Sequence, residues 1–182
     1  MRSVWLPILL CLACGAEDPP PSPPCDQACQ DAVAVRSLRE TMKLVYNLTL
    51  QANPVGPQDE STPCPLGGDA RVFGEATSDS MQGATQVALT YELNDCVYME
   101  RDEEPEENYA MMLSGVLTQE GIIAVQPSAS TALLINGNSV SFLGAVYDPP
   151  IEYQAQACPV ILGQSGNQLA GTICDRPAGL DL

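Results

Sequence analysis

The sequence predicts an α+β domain in which one N-terminal amphipathic helix packs on an antiparallel meander of about eight strands, braced by disulfides. Three observations predict it. Between residues 26 and 52 apolar side chains return every three or four positions, which is the period of a helix with one buried face. Beyond Pro63 the period falls to two, and turn-forming residues punctuate the chain. Six cysteines lie beyond residue 24, an even number suited to bridges, and four of them stand symmetrically about two turn-like stretches.

The leader comes first. Arg2 precedes an uncharged apolar run, Val4 to Leu12, which ends in Ala13-Cys14-Gly15. Spanning a bilayer as a helix takes ~20 apolar residues, so this shorter run reads as the core of a removed export signal. The segment resembles the lipobox of bacterial lipoproteins, with Leu12 and Ala13 before the cysteine and small Gly15 after it. The resemblance implies a signal peptide over 1–13, a lipid on Cys14 and a membrane partner reached through that anchor. In lipoproteins of the enterobacterial type an acidic residue after the cysteine retains the protein at the inner membrane; Gly15 in that place implies the outer one. The competing reading is cleavage after Ala16, since Cys14-Gly15-Ala16 also suits an ordinary signal peptidase and would release a secreted protein starting at Glu17.

Residues 15–24 read Gly-Ala-Glu-Asp-Pro-Pro-Pro-Ser-Pro-Pro. A run so rich in proline favours the polyproline II conformation, and at ~3.1 Å per residue it reaches ~30 Å, the length of a spacer between anchor and domain. The single domain, residues 25–182, follows. Its helix, about Asp26 to about Ala52, presents Val35, Leu38, Met42, Val45, Thr49 and Ala52 as a stripe and stops before Asn53-Pro54. Arg36, four residues before Glu40, predicts a surface pair. Arg36, Arg39 and Lys43 form the one basic patch legible in the sequence: either an acidic partner binds there, or these residues are the solvated outer face of the helix.

Strands follow in consecutive hairpins. About Asp69 to Thr77 pairs with a run in which Val87, Leu89, Tyr91 and Leu93 alternate with polar or small residues, across a turn at 78–83. Tyr109 to Thr118 turns at Glu120-Gly121 into Ile122 to Gln126, ended by Pro127. Ala132 to Ile135 turns at Asn136-Gly137, a dipeptide suited to a tight type I′ hairpin, into Asn138 to Tyr147. Asp148-Pro149-Pro150 breaks the ladder. Ile151 to Leu162 pairs with Gln168 to Cys174, and Asp175 to Leu182 is a tail. Equal distances from Ser80 pair Cys64 with Cys96, and equal distances from Gly166 pair Cys158 with Cys174, because residues equidistant from a hairpin turn face each other within disulfide reach. Cys25 and Cys29 remain for each other. The alternative for these cysteines is a metal, which would normally want histidine and tighter spacings; the chain has no histidine.

Composition bounds the function. With 7 Lys plus Arg against 23 Asp plus Glu, the formal charge is −16, which argues against nucleic acid and against anionic lipid head groups. No histidine means no usual base for a serine hydrolase, and Gly163-Gln164-Ser165-Gly166 departs from the Gly-x-Ser-x-Gly elbow. Lys43, the only lysine, has no serine three residues before it. A glycosidase needs only two carboxylates, yet aromatic residues for a sugar cleft are few. The reading is therefore non-catalytic and without a cofactor. Asp102, Glu103, Glu104, Glu106 and Glu107 form the densest acidic run; it offers a divalent cation oxygen ligands but lacks the alternation and glycine of an ordered calcium loop, and otherwise reads as a solvated loop. The element order is similar in outline to periplasmic lipoproteins that hold acyl chains between sheet and helix, so an apolar ligand there is the alternative to a partner-binding or structural role. A carrier requires a large dry pocket beneath the helix, whereas a structural module requires a filled one.

Overall fold

A computed structural model describes residues 25–51, 55–79, 84–124 and 131–182. The leader, Cys14, the spacer, the Asn53-Pro54 stop, the turn residues 80–83 and Pro127 lie outside the described residues. One helix, α1 (Gln27–Leu50), is followed by eight strands: β1 (Gly56–Pro63), β2 (Asp69–Asp79), β3 (Ala84–Glu100), β4 (Tyr109–Ala124), β5 (Ala132–Val146), β6 (Ile151–Ser165), β7 (Gln168–Ile173) and β8 (Arg176–Asp181). A short 3-10 turn, Pro105–Glu107, sits between β3 and β4. The strands pair in chain order, every pair antiparallel, so the sheet is a pure meander with β1 and β8 at its edges. The expected α+β class is what the chain adopts.

The helix begins where Asp26, in extended conformation, accepts a hydrogen bond from the Cys29 amide, an N-cap that satisfies one of the free donors of the first turn. Its buried face is wider than one stripe: Val33, Ala34, Val35, Ser37, Leu38, Thr41, Met42 and Val45 are all buried. Three consecutive buried positions mean that the sheet wraps the helix, which touches both edge strands as well as β2 to β5.

Wrapping requires sharply bent strands, and two devices supply the bends. Gly74 and Gly121 lie at positive φ, 137° and 125°, where a Cβ would collide with the carbonyl oxygens of Ala88 and Ala132. A band of bulges then crosses the middle of the sheet. Register slips occur between Leu93 and Cys96 in β3, between Ser114 and Thr118 in β4, and twice between Gly137 and Phe142 in β5.

Four expectations are corrected, two of them by these devices. Glu120-Gly121 is no turn: β4 runs through it, and Gly121 pairs with Val87 and Leu133. Asn136-Gly137 is no turn either, because β5 continues through a bulge at that point between two partners that both run past it. In both places glycine marks a bend within a strand. The expected tail is β8, joined to β7 through Cys174 and Asp175, both at positive φ (52° and 61°), with Ile173 paired to Arg176. That is a two-residue hairpin turn built without Asn or Gly. β1 lies before Pro63, where no strand was expected; its two prolines are tolerated because it is an edge. The strand number of about eight is met because two divided strands are whole and two unexpected edges exist.

Candidate functional site

The three disulfides join Cys25 to Cys29, Cys64 to Cys96 and Cys158 to Cys174, at Cα separations of 5.2, 5.4 and 4.6 Å. The pairing is the expected one, but for two of the bridges the geometry is different. The β2–β3 register sets Asp69 opposite Asn94, so a straight continuation would carry Cys64 past Cys96. Cys64 instead lies in the turn between β1 and β2, which folds back onto β3: the Leu66 amide donates to the Val97 carbonyl and the Val97 amide to the Gly67 carbonyl. Cys96 meets it just after the β3 bulge. Cys174 sits in the β7–β8 turn, its amide donating to the Pro159 carbonyl, so this bridge pins a turn to β6 rather than closing a ladder. Disulfides of this number belong to an oxidising, extracytoplasmic setting.

The most tightly built polar cluster joins the helix to the last strand. Asp31 is 1% exposed yet charged. Its Oδ2 accepts from Arg176 Nε at 2.7 Å, and its Oδ1 from Arg176 Nη2 at 2.8 Å, Tyr153 hydroxyl at 2.7 Å and Gln27 Nε2 at 3.0 Å. Burial alone pushes the carboxyl up; the hydrogen bonds from Arg176, Tyr153 and Gln27 outweigh it and hold the group below the usual carboxylate range. Burial and the Asp31 carboxylate push the Tyr153 phenol up in turn. Asp31 is thus committed as an ionised acceptor. The sequence carried a signal for this cluster, since Asp31 stands four residues before Val35 on the line of the apolar stripe and Arg176 is the one basic residue after Arg101.

The three cations of the helix's basic face pair with two carboxylates. Arg36 bridges to Glu107 at 2.9 Å, not to Glu40; Glu40 instead takes both Arg39 and, at 3.1 Å, Lys43. The acidic run is spent locally in part. Asp102 accepts the Glu103 and Glu104 amides at 2.6 and 3.4 Å, Asn108 clamps the loop by donating to the Asp102 and Glu104 carbonyls, and Glu107 holds Arg36. Glu103, Glu104 and Glu106 point to solvent. Among the described residues no group of three His, Cys, Asp or Glu stands close enough to hold a metal ion.

Beneath the helix the described residues pack into one buried cluster. Val35, Leu38, Tyr91, Met111, Leu113, Leu117 and Phe142 are fully buried in one cluster, with the Tyr91 hydroxyl donating to Gln119 at 2.7 Å. Two depressions open elsewhere: about 510 Å³ at the bulge formed by Asn94, Asp95 and Ser114 on the outer face, and about 290 Å³ between the helix start and β8. No described helix is long and apolar enough to cross a membrane. The chain is a disulfide-braced antiparallel meander wrapped about a single helix. Neither a protein-family model nor a curated protein or solved structure matches it.

Proposed function

We propose that the protein is a lipid-anchored component of the bacterial cell envelope, held at the outer membrane, whose domain binds a partner or serves a structural role without catalysis. Cys14 carries the lipid, and residues 15–24 hold the domain clear of the membrane. The single observation that carries this reading is the use of every cysteine from Cys25 onward in a bridge, which leaves Cys11 and Cys14 of the leader outside that set and Cys14 at the lipobox position. A partner-binding or structural role is supported over acyl-chain carriage by the filled interior, where a carrier needs a large dry cavity. A non-catalytic role is supported by the commitment of the buried carboxylate, Asp31, to three structural donors.

Acyl-chain labelling with cell fractionation tests the anchor. Wild type is expected in the membrane fraction and labelled, and Cys14→Ala unlabelled. A soluble, unlabelled wild type starting at Glu17 overturns the anchor in favour of secretion.

A further inference from the structure

The outer face of the sheet carries a continuous apolar block at the end where β3 and β4 are joined by the acidic loop. Register sets Met99 beside Ala110 and Ala110 beside Ala145; one step further in, Val97, Met112 and Leu143 lie side by side. The core-facing row between them is Tyr98, Met111 and Gly144, so the block points away from the helix. Leu66 abuts it through the hydrogen bond from its amide to the Val97 carbonyl. Met99, Leu143 and Leu66 are 46%, 47% and 53% exposed, in a molecule whose core has no need of them. A grouped apolar surface of this kind marks an interaction site where scattered exposed residues do not.

Charge identifies what covers it. Asp102, Glu103 and Glu104 stand in the loop that follows Met99, with one exposed cation, Arg101, between, and Glu152 ends the row that Met99, Ala110 and Ala145 begin. All four acids are exposed. An apolar centre with an acidic rim repels anionic lipid head groups, and in a symmetric dimer the rim would oppose itself. We propose that this block is the docking surface for a protein partner presenting an apolar centre and a basic rim, with rim charges steering the encounter and Met99, Leu143 and Leu66 supplying the affinity. The inference deepens the partner-binding reading and is independent of the anchor, whose failure would be read from labelling at Cys14.

The test uses the purified, natively processed protein and a helical peptide with a leucine face flanked by lysines as the probe. Titration is expected to shift the methyl signals of Met99 and Met112 and leave the buried Met42 unmoved. Affinity is expected to fall about tenfold or more in Met99→Ser/Leu143→Ser. It should stay unchanged in Ile161→Ser, which removes an equally exposed apolar residue elsewhere on the outer face. Glu103→Gln/Glu104→Gln/Glu152→Gln is expected to weaken binding and flatten its salt dependence. Equal affinity of the serine double variant and wild type overturns the proposal, because binding would then be charge alone. Self-association, or partition into phosphatidylcholine vesicles, that the double variant abolishes overturns it too, naming a second copy or lipid as the occupant.

Discussion

Asp31 shows how a single buried charge becomes part of the fold. Its carboxylate is almost without solvent and relies on Arg176, Tyr153 and Gln27 in place of water. Because its folded pKa lies below the ordinary 3.8, the unfolded chain takes up the proton first as pH falls. The stabilisation is therefore complete above the unfolded value and is lost as pH drops through the folded one. Asp31→Asn keeps the shape and removes the charge, so at pH 7 it is expected to cost about 2 kcal/mol in urea unfolding, the range of a hydrogen bond to a charged group. The gap to wild type should narrow below pH 3.8. A gap that persists unchanged at pH 2.5 would show that Asp31 acts through packing alone.

At the scale of elements, bends decide more than strand propensity. Gly121 holds a φ of 125° inside a paired strand, and a side chain there meets the Ala132 carbonyl. Gly121→Ala is expected to lower stability by about 2–3 kcal/mol, read as a shift in the urea midpoint. A change below about 0.5 kcal/mol would mean that β4 can straighten there without cost. The same residue explains where sequence and structure part. The helix, the pairing of β2 with β3 and that of β6 with β7 are legible because Val35, Leu38 and Met42 keep one period and Val87, Leu89 and Tyr91 another. Glu120-Gly121 and Asn136-Gly137 misread as turns because a local signal for positive φ or tight backbone does not distinguish a reversal of the chain from a kink; only the neighbouring strands do. β1 and β8 are hidden for a different reason. Pro57, Pro63 and Pro177 read against strands yet are permitted at edges, as Pro159 is at the β5–β6 bulge, and edge position is a property of the whole sheet. Of the candidate sites, the bridges were readable from symmetry, while the Arg36 bridge to Glu107 and the outer apolar block depend on contacts far apart in sequence.

For the whole molecule, the bridges differ in reach. Cys64–Cys96 spans 32 residues, Cys158–Cys174 spans 16 and Cys25–Cys29 only 4. Constraint of the unfolded chain grows with loop length, so removing these pairs as alanines is expected to cost about 4, 3 and 2 kcal/mol in that order. Equilibrium unfolding of the three double variants under non-reducing conditions checks the ranking. If the Cys25 and Cys29 variant were the least stable, the first turn of the helix would be a greater determinant of the fold than chain constraint allows.

The bond between Asp31 and Arg176 joins residues 145 positions apart. Each hairpin can zip onto the one before it, but Asp31 in the helix has no counter-cation until β8 docks. The apolar face is already covered by then, because α1 also packs on β1 to β5. A chain lacking β8 would therefore hold a buried carboxylate with no counter-cation, so the β7–β8 hairpin acts as the latch that completes the closure.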